Sequence, residues 1–153
     1  MSEIDLHLQE VLGRAEEEAA QDGSATIEAH HLLLAIAAGP DPALTAAGLD
    51  HAALKAALRR EFEHSLSVAG VSLGDFDLPP ATRDPERRLG LGASVKLALD
   101  RMARAHRKKD LRPGHLLIAV LQAEAGTVPR ALALAGVDRA ALIDRVRDGL
   151  AGR

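Results

Sequence analysis

Apolar residues recur every three or four positions in some segments of the chain and form unbroken runs in others. In residues 3–21, Ile4, Leu8 and Val11 form one apolar stripe between polar positions, which predicts an amphipathic helix. Residues 28–38 and 116–123 are apolar nearly all round, as is typical of a helix at the centre of a core. Eight helices are predicted; the other five cover residues 43–47, a segment after Asp50 with Leu54, Leu58 and Phe62 facing inward, residues 93–108, a segment from Thr127 to near Gly136, and a segment after Asp138 with Leu142, Val146 and Leu150 facing inward.

Two blocks of sequence occur twice, in the same order. Residues 31–36 (HLLLAI) correspond to residues 115–120 (HLLIAV) at an offset of 84. Residues 47–54 (AGLDHAAL) correspond to residues 135–142 (AGVDRAAL) at an offset of 88. Matched blocks in the same order predict a duplicated unit of four helices.

The duplication predicts how the chain is organised. We expect one domain over residues 1–153, with repeat one at 3–66 and repeat two at 93–150. A connector rich in Gly and Pro, residues 67–92, joins them. Each half is too small for a secure core of its own, so the halves should pack face to face about a pseudo-twofold axis.

The composition supports an all-α fold and excludes several kinds of chemistry. Of the 153 residues, 47% are hydrophobic but only 1% are aromatic, so the apolar residues are mainly the good helix formers Ala and Leu. With two Phe and no Tyr or Trp, the chain offers little platform for stacking bases. It contains no cysteine, which excludes disulfides, a thiol nucleophile and a cysteine zinc site.

Charge and hydropathy bear on where the protein acts. The net charge is −3, so no overall positive field attracts nucleic acid or anionic lipid. The first residues, MSEID, are acidic and form no secretory signal. The longest uncharged stretch, residues 29–40, is about half the ~20 residues that a membrane helix needs. We expect a cytoplasmic protein without a membrane partner.

The repeated blocks resemble the N-terminal repeat domain of the Clp ATPases, the ClpA, ClpB and ClpC unfoldases. Each family repeat has an amphipathic first helix, then a segment like IGTEHLLLAL, and later a short helix ending in LGVD. Residues 27–36 (IEAHHLLLAI) and 111–120 (LRPGHLLIAV) are similar to that segment. Residues 47–50 (AGLD) and 135–138 (AGVD) are similar to the closing motif.

The resemblance implies a binding module without catalysis or a cofactor. In the family this domain lies on an ATPase ring and captures substrates or adaptor proteins; in the ClpC branch it also recognises phosphoarginine and some cyclic peptide antibiotics. The implied partner is a protein or peptide: a Clp ATPase, its substrates or a cyclic peptide. The chain has no GxxxxGK[ST] phosphate loop and no GxSxG nucleophile elbow. We therefore expect a stand-alone relative that is an adaptor, a decoy or a modulator of Clp-dependent proteolysis.

The chain departs from the family at the phosphoarginine position. In ClpC-type domains the glutamate before the HLL segment contacts the guanidinium, and here His30 and Gly114 replace it. Neither supplies a carboxylate to a guanidinium. Glu28, two residues upstream of His30, is the nearest carboxylate. We expect partner contacts at all three residues, and the sequence leaves open whether phosphoarginine is bound.

Other histidine and aspartate residues are assigned structural roles. His31 and His115 start equivalent apolar helices, where an imidazole that fixes the helix entry is more common than a symmetric ligand pair. Asp50 and Asp138 are predicted N-caps. No metal site is expected, because adjacent residues such as His30 and His31 point about 100° apart on a helix.

The two repeats also differ in charge. Residues 1–28 hold eight acidic residues and one basic residue, whereas residues 101–112 hold six basic residues and one acidic residue. One interpretation is an ordinary dipolar surface and the other is a docking patch for a partner. Nucleic acid is the alternative partner, although no base-reading pattern accompanies the patch. The patch comprises Arg101, Arg104, Arg107, Lys108, Lys109 and Arg112, of which Arg101, Arg104 and Lys108 share a helix face by spacing.

Overall fold

The computed structural model describes residues 1–70 and 88–152, and in this part of the chain it contains eight α-helices. The all-α prediction is confirmed. Most of the predicted connector, residues 71–87, lies outside the described residues, and the equivalence of the two halves stays a prediction. The helices are α1 (Glu3–Gln21), α2 (Ala29–Ala38), α3 (Pro42–Ala46), α4 (His51–Val68), α5 (Ala93–Ala105), α6 (Pro113–Leu121), α7 (Thr127–Leu134) and α8 (Arg139–Ala151).

Short polar side chains start several of these helices. The Asp41 carboxylate accepts the backbone N–H groups of Ala43 and Leu44, and Pro42 occupies the first helical position. Such a cap satisfies donors that the first turn leaves without a partner, and proline at that position loses nothing. The N-caps with side-chain hydrogen bonds are Ser2 for α1, Asp41 for α3, Asp50 for α4 and Asp138 for α8.

The two closing motifs end their helices with the same geometry. Gly48 follows α3 with φ 74°, and Gly136 follows α7 with φ 73°. Only glycine adopts this left-handed conformation without a steric penalty. In both turns the next residue donates its N–H back to a carbonyl near the end of the helix, Leu49 to Leu44 at 2.8 Å and Val137 to Leu132 at 2.9 Å.

The two very apolar helices, α2 and α6, lie at the centre of the core and contact each other. Around them, α2 also packs against α1, α4, α5 and α7, and α6 against α5, α7 and α8. Every residue of α2 from His31 to Ala37 is buried, and so is every residue of α6 from Leu116 to Leu121. Contacts of α4 with α7 and of α3 with α8 further join the two predicted halves.

A short parallel sheet, which the sequence analysis did not predict, joins the halves as well. Strands β1 (Thr26–Ile27) and β2 (Gly90–Leu91) pair Thr26 with Gly90 and Ile27 with Leu91. Each strand has two residues, which is too short for alternation of apolar and polar positions to be visible. The sheet places the start of α2 beside the start of α5.

Two predicted details of the helices are wrong. Phe62 is 52% exposed, because the buried face of α4 passes through Leu54, Ala57 and Glu61 instead. The fifth helix ends at Ala105 and not at residue 108, because His106 is extended and a 3₁₀ turn, Lys108–Asp110, follows.

Within the part of the chain that the structure describes, no helix is both long enough and apolar enough to cross a membrane.

Candidate binding cavity between the predicted halves

The candidate site forms where the starts of α2 and α5 meet. Beyond the β1–β2 pairing, the Gly92 N–H donates to the Ile27 carbonyl at 2.8 Å. The Ser94 hydroxyl accepts the Ala29 N–H at 2.7 Å and donates to the Glu28 carboxylate at 2.7 Å. One serine of α5 therefore contacts both the backbone and a side chain at the entry of α2.

The Glu28 carboxylate is held on both sides. Thr26 donates its hydroxyl to one oxygen, and Ser94 donates to the other. Partial burial acts to raise the pKa of Glu28, but these hydrogen bonds outweigh it and hold the pKa below its ordinary value. A Cβ at Gly92 would lie 1.7 Å from the carboxylate, so only glycine leaves room for it there.

Beside this network is an open cavity of about 220 Å³. Arg101 and His30 lie on its border together with Glu28. Leu97, 59% exposed, adds an apolar surface from α5. The cavity thus combines a carboxylate, a guanidinium, an imidazole and exposed apolar surface. The remaining wall is apolar or small: Ala29, Ala98, Val120, Ala123, Ala125, Gly126, Thr127, Val128 and Pro129, with Ser94 at the junction.

His30 and His31 lie close to Asp22, but their hydrogen bonds do not suit a metal. The three side chains place one nitrogen or oxygen ligand atom each within 4.8 Å of one another. However, His31 Nδ1 accepts the Glu28 N–H at 2.9 Å, so the neutral ring carries its proton on Nε2, which donates to Asp22 at 2.7 Å. A protonated nitrogen has no lone pair for a metal.

Asp22 is best described as the hydrogen-bonding partner of this histidine pair. Partial burial acts to raise its pKa, but hydrogen bonds from His31 and Ser24, with His30 at 3.9 Å, outweigh burial and hold the pKa far below the ordinary range. The carboxylate is therefore ionised in the folded protein at neutral pH. It tethers the end of α1 to the start of α2.

The structure does not bring the predicted basic patch together as one face. Arg101 donates to the Ala119 carbonyl and borders the cavity. Arg104 pairs with Asp100 at 3.1 Å in its own helix. Lys108 lies beyond the end of α5 and pairs with Asp5 of α1 at 3.3 Å, so the prediction that it shares a helix face with the two arginines is wrong.

Two further predicted contact residues, Arg112 and Gly114, lie against Leu150 near the end of α8. Arg112 donates to the Leu150 carbonyl at 2.6 Å. A Cβ at Gly114 would lie 3.0 Å from the Leu150 side chain, so α8 closes over this position. Of the seven residues predicted to contact a partner, only Glu28, His30 and Arg101 border one cavity.

The four residues assigned to structure make local hydrogen bonds. His115 Nδ1 accepts the Arg112 N–H at 2.9 Å, the same arrangement that His31 has with Glu28. Asp50 accepts the Ala53 N–H at 2.8 Å and Asp138 the Ala141 N–H at 3.1 Å, as N-caps do.

The sequence analysis missed residues that shape the cavity and the joint beneath it. Ser94 and Leu97 were not singled out, because a serine and a leucine in an amphipathic segment give no signal of their own. Glu61 is another: it is 5% exposed, pairs with Arg130 of α7 at 2.9 Å and accepts from Ser65. The sequence did contain a signal for Glu61, because it is an acidic residue at helical spacing from the apolar Leu54 and Ala57 and would therefore need a partner if buried.

Comparisons with known proteins agree with this architecture. Residues 3–87, slightly more than half of the chain, match the model of the Clp repeat (R) N-terminal domain family. The fold is similar to the crystal structure of the N-terminal domain of the caseinolytic protease associated chaperone ClpD from Arabidopsis thaliana, with a TM-score of 0.65, 18% sequence identity and 94% of each chain covered. The curated proteins contain no match. The chain belongs to the Clp repeat N-terminal domain family.

Proposed function

We propose that this protein is a non-catalytic module that binds a protein or peptide and acts in the cytoplasm as an adaptor, decoy or modulator of Clp-dependent proteolysis. Membership of the Clp repeat family supports a recognition role. The observation that carries the proposal is the cavity between α2, α5 and the loop before α7, where polar and apolar contacts are offered side by side.

The chemistry of the cavity favours a short extended segment with an apolar side chain. Leu97 and the small wall residues offer apolar contact. Arg101 and His30 can hydrogen-bond to the carbonyl groups of a peptide, and hydrogen bonds placed around an apolar contact fix the orientation of a ligand. With a volume of about 220 Å³ the cavity suits one or two side chains rather than a folded domain.

We further propose that the specificity is not for phosphoarginine. Glu28 is the carboxylate at the cavity, but Thr26 and Ser94 already occupy both of its oxygens. At the corresponding place in the second half, Gly114 has no side chain and Leu150 crowds it. If this is right, His30→Glu gains binding to a phosphoarginine peptide that the wild-type protein does not bind.

A reconstituted degradation assay tests the proposed function. A purified Clp ATPase and its protease degrade an unfolded reporter protein in the presence of increasing amounts of this protein. An adaptor raises the degradation rate, whereas a decoy that competes for substrate or ring lowers it.

Variants locate the effect. Leu97→Glu places a charge in the apolar wall of the cavity and should abolish the change in rate. Leu6→Glu makes the same substitution at a site of similar exposure, 55%, which does not border the cavity, and should act like the wild-type protein. No effect of the wild-type protein on the rate, or equal behaviour of the two variants, would contradict the proposal.

A further inference from the structure

The two histidines at helix starts, His31 and His115, each make the same kind of hydrogen bond. Each accepts the N–H of the residue three positions earlier at Nδ1, Glu28 for His31 and Arg112 for His115, both at 2.9 Å. A neutral imidazole has one donor and one acceptor nitrogen. In both rings the proton is therefore on Nε2, and the partner of that N–H decides what the ring can do.

In the first half, the chain itself supplies that partner. Asp22 stands nine residues before His31 and accepts its Nε2–H at 2.7 Å. The ring is 0% exposed. This donor is closed to any ligand.

In the second half, the residue nine positions earlier is not an acid. His106 stands there, and its ring lies against the His115 ring with centroids 4.2 Å apart. Among the described residues, His115 has a hydrogen bond at Nδ1 and none at Nε2. The donor that a carboxylate satisfies in the first half is therefore available here.

The His115 side chain borders a cavity of about 280 Å³, distinct from the one at α2. Arg101 and Arg147 lie on its border together with the two histidines, and of the described residues that line it none is acidic. Its apolar lining includes Met102, Ile118 and Leu150, from three different helices.

The charges around His115 are positive. Burial is the first cause that lowers the pKa of His115, and the nearby His106 and Arg112 lower it further. The two neighbouring guanidinium groups have N–H donors to spare. Arg101 donates to the Ala119 carbonyl, and Arg147 lies 3.7 Å from Asp144. A bound anion would relieve this concentration of positive charge.

We propose that this cavity binds a carboxylate group carried by a peptide, with His115 Nε2–H and Arg147 as its donors. The first half supports a carboxylate, because Asp22 makes this contact with His31. The apolar lining then contacts the aliphatic part of the residue that bears the carboxylate. The site is separate from the cavity of the proposed function, although Arg101 borders both.

Histidine-ring NMR of the full chain with three short peptides tests the site. The probes are acetyl-Gly-Leu with a free carboxylate, the same peptide as its C-terminal amide, and acetyl-Gly-Asp-Ala-amide. The expected result is a saturable shift of the His115 ring with at least one carboxylate peptide and none with the amide of the first. The two carboxylate peptides distinguish a chain terminus from an acidic side chain.

Two variants and a control complete the experiment. Arg147→Gln should weaken binding at least about 5-fold, since a charge-assisted hydrogen bond is lost. Arg145→Gln removes the same charge from an exposed neighbour that does not border the cavity, and should leave the affinity unchanged. His106→Asp places a carboxylate nine residues before His115, as in the first half, and should compete with the peptide.

Several results would overturn the proposal. The first is binding of the amide as tightly as the acid. The second is an equal effect of the two arginine variants, and the third is the absence of any shift at about 10 mM peptide, which corresponds to less than 3 kcal/mol of binding free energy. A shift with inorganic phosphate but with no carboxylate would also contradict it. None of these results depends on the degradation assay or on Leu97, so the site and the proposed function can fail separately.

Discussion

The starts of α2 and α6 have the same local hydrogen bond to a histidine, but the residues around the two histidine rings differ. In both, a histidine accepts the N–H of the residue at the helix entry. At α2, Nε2 of the buried His31 hydrogen-bonds to Asp22 at 2.7 Å. At α6, His115 borders a cavity together with His106, and its Nε2 has no hydrogen bond to any described residue. The comparison teaches that the same backbone contact can occur at two helix entries while the residue nine positions earlier differs, and with it the hydrogen bonding of the ring's other nitrogen.

The core beneath these two entries should be equivalent, and breaking it has the largest expected effect. Leu32 and Leu116, the first leucines after the two histidines, are 1% and 0% exposed. Leu32→Ala and Leu116→Ala should each lower the free energy of unfolding by about 2–5 kcal/mol, because each leaves a cavity in a packed core. Urea denaturation measures both.

The exposed Leu6 is the control for these substitutions. Leu6→Ala should change the free energy of unfolding by about 0.5 kcal/mol or less. A large loss for one core leucine and almost none for the other would show that the two helices are not equivalent in the core.

The next largest loss of unfolding free energy is expected from breaking the contact between α4 and α7. Arg130→Met leaves the buried Glu61 carboxylate with only its hydrogen bond from Ser65, and should lower the free energy of unfolding by about 1–3 kcal/mol. Arg59→Met removes an exposed pair with Glu63 inside α4 and should cost about 0–1 kcal/mol. Equal losses in urea denaturation would mean that the joint between the halves is no stronger than a surface pair.

The Asp22–His31 pair should make the free energy of unfolding depend on pH in the acidic range. Since the pKa of Asp22 is lower in the folded than in the unfolded protein, its contribution is full above the unfolded value near 3.8 and is lost as the pH falls below it. Asp22→Asn should be less stable by about 1–2 kcal/mol at neutral pH, and the difference from wild type should shrink below pH 4.

His106→Asn is the matched substitution in the second half. It removes no carboxylate and no hydrogen bond of His115, so the free energy of unfolding should change by about 0.5 kcal/mol or less. Urea denaturation between pH 7 and pH 3 measures both variants. A constant difference between Asp22→Asn and wild type over this range would contradict the assigned hydrogen bond from His31 to an ionised Asp22.

The smallest effect is expected at the entry where α5 meets α2. Ser94→Ala removes the bridge between the Ala29 N–H and the Glu28 carboxylate and should cost about 1 kcal/mol. Ser67→Ala, at an exposed position of α4, should cost about 0.5 kcal/mol or less. If the two serines behave alike, the contact does not stabilise the junction.

Sequence patterns predicted the helices well because their signals are local. The apolar runs identified α2 and α6, and Asp50 and Asp138 marked the starts of α4 and α8. The errors arose where a long-range contact overrides periodicity: Glu61 occupies the buried stripe because Arg130 of α7 pairs with it, which turns Phe62 outward.

The sites were harder to predict, because their residues come from separate segments. Glu28, His30 and Arg101 were singled out, but the pairing of β1 with β2 and the Ser94 hydrogen bonds that place the first two near α5 were not predicted. The contrast between Asp22 and His106 was readable as a shared nine-residue spacing to His31 and His115. The consequence of this spacing became clear only from the hydrogen bonds at Nδ1, because they show that each ring carries its proton on Nε2.

The exchange of the ring protons with water tests this contrast most directly. A proton-detected nitrogen-15 NMR spectrum of the free protein at neutral pH should show a slowly exchanging Nε2–H signal from His31 that disappears in Asp22→Ala, which removes the acceptor. His115 should give no such signal until a carboxylate peptide is added. Protected signals from both rings in the free protein, or from neither, would contradict the account.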